Sequence, residues 1–232
     1  MAKHETGRLA GFLYLVVVIT GIFSLGYVPS QLAGSTDPKT IAQSILASEA
    51  LFRAGIAGFM VNQVAFVLLP LTLYKLLRSV NQTSASVMVA FALVSVPIAL
   101  VAISKRLDAL SLLTDASHAA TSVPEQLQAQ ALVALGEYRN AMFVVKLFWG
   151  LWLLPLGYLI FNSGFLPKIL GVLLMLACAS YMIDVFGKLL VPAYASSGAS
   201  KFVMKPASVA EIGTCLWLLF VGCRRPMHSA AQ

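Results

Sequence analysis

The sequence predicts an all-α, polytopic transmembrane bundle of about six helices, because the chain is poor in charge and contains six long apolar runs. Only 11% of its 232 residues are charged and 59% are hydrophobic, whereas a soluble domain usually carries about 25% charged residues. A chain with so few charges cannot cover itself with a wetted surface and therefore faces lipid. Its length fits a single transmembrane domain over residues 1–232 better than several domains.

Each predicted span is an apolar run close to the ~20 residues that a helix needs to cross the hydrocarbon core. The runs cover residues 9–28, 52–77, 87–103, 141–161, 166–191 and 207–222. The first run follows two basic residues, as a signal peptide would. Its apolar core is longer than that of a signal peptide and no cleavage site of small residues follows it, so we expect a retained helix.

The connections between the spans alternate in length, and basic residues indicate which side they face. Short turns at residues 78–83 and 162–164 join the second span to the third and the fourth to the fifth, and the other connections are long. Lys and Arg beside short connections mark the cytoplasmic side of a membrane. Only seven of the 16 Lys and Arg residues lie on the short-turn side, but they flank very short segments. We therefore expect both termini and both short turns in the cytoplasm.

Two segments in the long connections predict short amphipathic helices outside the spans. Residues 122–125, Ser-Val-Pro-Glu, form a capping box with proline at the first helical position, ahead of a periodic apolar pattern that enters the fourth span. Asp37-Pro38 begins a similar helix, with Ile41, Ile45 and Leu46 on its apolar face. These helices either cap the bundle or face solvent. Residues 195–200, rich in Ser, Ala and Gly, predict a flexible loop.

Charge, cysteines and motifs exclude several classes of function. The formal net charge is +7, but the basic residues lie beside apolar runs, where positive charge orients membrane helices. No nucleic-acid partner is therefore expected. The three cysteines form no CxxC pair and the three histidines lie outside the apolar runs, so we expect no metal site and no cofactor. The nucleophile elbow, zinc-protease and phosphate-loop motifs are missing from the sequence. Catalytic residues therefore stay unknown, and enzyme activity stays open.

Five residues at membrane depth are the candidate ligand-binding residues. Lys146, Asp184 and Glu211 lie in the fourth, fifth and sixth runs, within roughly 10 Å of the outer boundary at about 1.5 Å rise per residue. Tyr181, Asp184 and Lys188 share one helix face, and Asp184 can pair with Lys188 four residues on. Ionisable groups at such depth usually face the protein interior or water. The alternative is a purely structural ion pair.

The outer ends of the other spans add charged residues, and together with these five they predict an outward-opening polar vestibule. The added residues are Arg53, Lys105, Arg106, Asp108, Glu137 and Arg139. Long basic side chains near helix ends reach back to the interface, which accounts for Lys105, Arg106 and Lys188. Asn62 and Gln63, in the middle of the second run, are expected to hydrogen-bond between helices.

Prolines inside three runs predict kinks, because each removes a backbone donor and crowds a carbonyl. They are Pro70, Pro97 and Pro155. Leu-Leu-Pro-Leu occurs at residues 68–71 and again at 153–156, each time before a short turn. Either the two helix hairpins are a parallel duplication, as in some transporters, or Leu-rich segments match by chance.

Several segments carry a resemblance to a known family. They are residues 7–11, 50–53, 73–81 and, most specifically, 157–171, with Tyr181 and Asp184 downstream. Here the chain resembles the bacterial membrane proteins known as domain of unknown function 4386. The resemblance implies a bacterial inner-membrane location and about six helices, and it implies no activity. Members often carry His where this chain has Trp152, so a role of that His does not carry over.

Three functions remain open at the level of sequence. The first is a transporter or small-ligand-binding protein that uses the vestibule. The second is an intramembrane enzyme acting on a lipid, with Asp184 or Glu211 as general acid or base. The third is a non-catalytic accessory or sensor protein with a partner in the membrane. The lipid bilayer is an expected partner in all three, and the oligomeric state is open.

Overall fold

The computed structural model describes residues 3–32, 37–115, 123–194 and 197–223, which form helices and short connections without any strand. Six helical segments in these ranges are long and apolar enough to cross a membrane: His4–Leu32, Glu49–Leu77, Gln82–Thr114, Pro124–Asn162, Lys168–Leu190 and Ala199–Phe220. The prediction of an all-α membrane protein with six spans is confirmed. Several helices extend past the predicted apolar runs, because helical hydrogen bonding continues into polar sequence at the span ends.

The predicted helix ahead of the second span is present and covers Pro38–Ala47; it is called the connecting helix below. Asp37 caps it, since its carboxylate accepts a 2.9 Å hydrogen bond from the Thr40 amide, one of the donors left open at a helix start. Hydrogen bonds from the Thr40 hydroxyl and from its amide hold the pKa of the Asp37 carboxyl below its ordinary value. Ala42 and Ile45 are buried, so the helix covers an apolar surface rather than facing solvent all round.

The helix predicted ahead of the fourth span is also present, beginning at Pro124 and continuing unbroken to Leu151. Ser122 of the predicted capping box lies outside the described residues, as do residues 195–196 of the predicted flexible loop. The helix is interrupted at Trp152 and resumes as Leu153–Asn162. Proline at position 155 crowds the carbonyl four residues earlier, which explains a break at this point. Around Pro70 and Pro97 the helices are continuous.

The first span contains an irregularity that the sequence did not predict. Its α-helix, Lys3–Gly21, changes to a π-helical segment over Ile22–Tyr27 before an α-helical turn, Val28–Leu32, completes the span. The carbonyls of such a segment bond to amides five residues on, which widens the helix. Pro29 lacks the amide that would bond the Leu25 carbonyl inside this segment, so the sequence held a signal for a break that the prediction did not include.

The chain divides into two compact units, and each takes parts of several spans. Unit 1 comprises the described parts of Met1–Val16, Ala65–Ser95 and Lys146–Gln232, and unit 2 comprises those of Val17–Val64 and Val96–Val145. Unit 1 includes a close helix contact at Gly11, where a Cβ would lie 2.3 Å from the Leu219 nitrogen. Only glycine allows that approach, as expected for small-residue packing between membrane helices. The single-domain organisation stays a prediction.

In unit 2, Asn62 joins the second span to the first. Its Nδ2 donates to the Val17 carbonyl at 2.7 Å and to the Thr20 hydroxyl at 3.0 Å, which confirms the predicted interhelical role. The same prediction was wrong for Gln63, whose Nε2 donates to neighbouring Asn62 at 3.1 Å. Neighbours on a helix point about 100° apart, so one of two adjacent amides can face the first span without the other.

Candidate functional site

Asp184 is the most deeply buried acid of the predicted vestibule, with 1% of its surface exposed. Its carboxylate accepts a 2.8 Å hydrogen bond from the Lys188 ammonium one turn on, which confirms the predicted pair. The Ser200 hydroxyl, at the start of the sixth span, donates to the other carboxylate oxygen. A buried charge needs such partners, because its burial alone costs several kcal/mol.

Glu211 is held by two tyrosines rather than by a cation. Tyr181, on the fifth span, donates to its carboxylate at 3.2 Å, and Tyr14, on the first span, donates at a longer 3.5 Å. The Tyr14 ring in turn lies 6.2 Å from the ring of Trp152. Glu211 therefore connects the first, fifth and sixth spans within unit 1.

Lys146 approaches the Asp184 pair without joining it. The side chain is half-buried and interacts electrostatically with Asp184 and Lys188, but no ion pair within 4.0 Å links it to the described residues. All five candidate residues thus lie in unit 1, and both acids already have hydrogen-bond partners. This arrangement can hold helices together, and a ligand-binding role for the five residues stays a prediction.

The charged residues predicted at the outer span ends lie in unit 2, and four of the six form ion pairs. Lys105 is within 3.4 Å of Asp108 and 3.2 Å of Glu137. Arg53 pairs with Glu49 at 2.6 Å. These side chains are exposed, and exposed pairs of this kind typically contribute about 0–1 kcal/mol.

Arg106 departs from its prediction. It was expected to extend to the membrane interface, but it is buried, with 3% of its surface exposed. The side chain of Lys105 is 36% exposed, and its extension to the interface stays a prediction. Adjacent residues on a helix project about 100° apart, so the two cations leave the same helix in different directions.

The Arg106 guanidinium lies between aromatic side chains and has no acidic partner. Its carbon is 4.4 Å from the centre of the Phe52 ring and 5.4 Å from that of Tyr138. The Tyr138 hydroxyl also interacts with the guanidinium. Nη1, however, is buried without a hydrogen-bond partner, and no described carboxylate lies within 4.0 Å of the group.

A cavity of about 250 Å³ opens beside this guanidinium within unit 2. It is lined by Pro29, Leu32, Ile41, Ile45, Phe52, Arg106, Leu132, Leu135, Tyr138 and Arg139. The lining comes from the end of the first span, the connecting helix, the start of the second, the end of the third and the start of the fourth. The cavity thus lies where the long connections leave the spans. It combines an aliphatic wall with two arginines, the usual make-up of a small-molecule site.

The burial of Arg106 had a signal in the sequence that was not used. Small apolar residues precede and follow it at helical spacing on one face of the third span: Ala99, Ala102, Ile103, Ala109 and Leu110, all buried. Arg106 falls in register with this face. Periodicity therefore placed it inside, whereas its position near the end of an apolar run suggested the interface.

Comparison with known proteins assigns the chain to a family. Residues 9–222 match the family model described as "Domain of unknown function (DUF4386)". The chain belongs to this family. No curated protein matches the chain, and no solved structure does either. The match includes every residue that lines the cavity.

Proposed function

We propose that this multi-pass membrane protein binds a small molecule in the cavity beside Arg106. The observation that carries the proposal is a buried arginine that lines a largely apolar cavity and has no acidic partner among the described residues. Ionisable residues inside membrane-spanning helices are rare and often mark binding or transport sites. A negatively charged or strongly hydrogen-accepting ligand would satisfy the group.

A structural role accounts less well for Arg106 on energetic grounds. Burying an ion costs several kcal/mol in real proteins. A cation–π contact returns about 0.5–2 kcal/mol, and two such contacts with Phe52 and Tyr138 do not clearly exceed that cost. A similar apolar side chain would stabilise the fold at least as well, which supports a role for the charge in binding.

The lining supports binding rather than catalysis at this cavity. None of its residues is Asp, Glu, His, Ser or Cys, the side chains that most often serve as general acid, base or nucleophile. The lipid-modifying alternative relies on Asp184 and Glu211, whose carboxylates already accept hydrogen bonds. Loss of product formation in Asp184→Asn, with an assayed lipid substrate, would revive that alternative.

We also propose a bacterial inner-membrane location with cytoplasmic termini, which puts the connecting helix and the cavity on the outer side. The support is the density of basic residues at the short turns. Lys39 is exposed on the connecting helix, and the three native cysteines are buried. Lys39→Cys should therefore react with an impermeant thiol reagent in intact cells. Labelling only after permeabilisation would reverse the orientation.

Native mass spectrometry of protein purified in mild detergent tests the binding proposal. The matched variants are Arg106→Met and Lys105→Met, which remove one positive charge each at adjacent positions. A small-molecule adduct on the wild type and on Lys105→Met, but not on Arg106→Met, is the expected result. Identical adducts on all three proteins, or bulk lipid alone on each, would contradict binding at this cavity.

A further inference from the structure

We infer that the ligand of the Arg106 cavity is a single-chain amphiphile with one carboxylate head group, of the fatty-acid type; this rests on the proposed binding function. The chemistry of the head group follows from the guanidinium, and that of the tail follows from the aliphatic lining.

The charge around the cavity favours an anion. Arg106 contributes one buried positive charge, and the carboxylates nearest in sequence to the lining are engaged elsewhere, Glu49 with Arg53, and Asp108 and Glu137 with Lys105. One carboxylate would neutralise the guanidinium. Arg139, which is exposed at the lining, adds positive potential that favours the approach of an anion from solution.

The environment of the guanidinium suits a carboxylate. Phe52 and Tyr138 contact the guanidinium, and its buried Nη1 has no hydrogen-bond partner among the described residues. Guanidinium and carboxylate match as planar groups that can form two parallel hydrogen bonds. A dianionic phosphate would bring a second negative charge, which only the exposed Arg139 of the lining would meet.

The size of the cavity limits how much of the ligand it encloses. About 250 Å³ is slightly below the roughly 300–1,000 Å³ that is typical of small-molecule pockets. That is room for a carboxylate and the first carbons of one chain, against side chains such as Ile41, Ile45, Leu132 and Leu135. The rest of the chain would leave through the open side.

The test compares three probes of equal chain length: decanoate, decanol and decyl phosphate. The shift in unfolding midpoint on adding each probe is measured for the wild type, Arg106→Gln and Lys105→Gln in the same detergent. Because all three proteins are measured in the same detergent, partition of the probe into micelles lowers its free concentration equally for each of them. We expect decanoate to stabilise the wild type and Lys105→Gln, and its apparent affinity to fall about tenfold or more in Arg106→Gln.

A second variant covers the case in which Arg106→Gln does not fold. Leu132→Trp keeps the arginine but fills the cavity, and it should also lose the response to decanoate. Equal shifts from decanol and decanoate would overturn the inference, as would a decanoate shift that both cavity variants retain. Stronger stabilisation by decyl phosphate would instead identify the head group of the ligand as a phosphate monoester. In each of these cases, an adduct in native mass spectra that depends on Arg106 would still support the proposed binding function. Absence of that adduct would contradict both the binding function and the fatty-acid inference.

Discussion

Gly157 and Gly171 face each other across the hairpin of the fourth and fifth spans, each touching the backbone of the other. A Cβ on either glycine would lie 2.6 Å from the carbonyl oxygen of the other. The same two glycines bound residues 157–171, a segment inside the match to the family. The segment brings two helices into close backbone contact, which membrane helices achieve with small residues.

Gly157→Ala should destabilise the protein by about 1–3 kcal/mol, the usual cost of overpacking a filled interface. Gly213→Ala is the matched control, since a Cβ there would meet Leu170 Cδ2 at an ordinary 3.7 Å. Thermal unfolding in detergent measures both. Equal midpoints for the two variants would show that the hairpin can move apart without cost.

Lys188→Met should cost more stability than Asp184→Asn. The first change leaves a carboxylate that is 1% exposed without its cation, which costs roughly 3–5 kcal/mol. The second leaves Lys188, whose side chain is 27% exposed and can turn toward water, so about 1–2 kcal/mol is expected. The double variant should recover much of the loss. If the stability losses of the two single variants simply add up in the double variant, Asp184 and Lys188 do not interact, which would contradict the ion pair.

Asn62→Leu and Gln63→Leu should differ although the two residues are adjacent. The first removes the hydrogen bonds from Asn62 to Val17 and Thr20 and should cost about 1–2 kcal/mol. The second removes an amide whose oxygen is buried without a partner, so it should be neutral or stabilising. Unfolding midpoints decide between these outcomes, and a larger loss for Gln63→Leu would contradict the assignment.

The connecting helix should loosen as the pH falls through the acid range. Hydrogen bonds from Thr40 hold the pKa of Asp37 below its model-compound value of 3.8. A depressed pKa contributes stability above the unfolded value, and that contribution is lost as the pH falls through the folded value. Amide exchange over Pro38–Ala47, corrected for intrinsic rates, should rise below about pH 4 in the wild type. Asp37→Asn, which keeps the cap without a charge, should remove this dependence.

Features set by local sequence were predictable. The six spans follow from apolar run length, the connecting helix from Asp37-Pro38, and the Asp184–Lys188 pair from spacing along one helix. Features set by packing were not. Pro29 accounts for a break near Leu25 but not for the π-helical form of Ile22–Tyr27, and helical periodicity favoured a buried Arg106 without identifying Phe52 and Tyr138 as its neighbours.

The division of the predicted vestibule also depended on packing. Its candidate ligand-binding residues fall in unit 1, and the charged residues from the outer ends of the second, third and fourth spans fall in unit 2. Distance from a span end gives the depth of a residue but not its neighbours. Sequence reasoning could place these groups in one layer, but it could not assign them to one site.

The stability of Arg106→Met without ligand tests the central claim most directly. If the buried guanidinium serves binding, replacing it by an apolar side chain of similar length removes the cost of a buried charge. After extensive detergent washing, the unfolding midpoint of this variant should equal or exceed that of the wild type. A large fall in midpoint, with Lys105→Met unchanged, would show instead that Arg106 serves the fold and would contradict the proposed binding site.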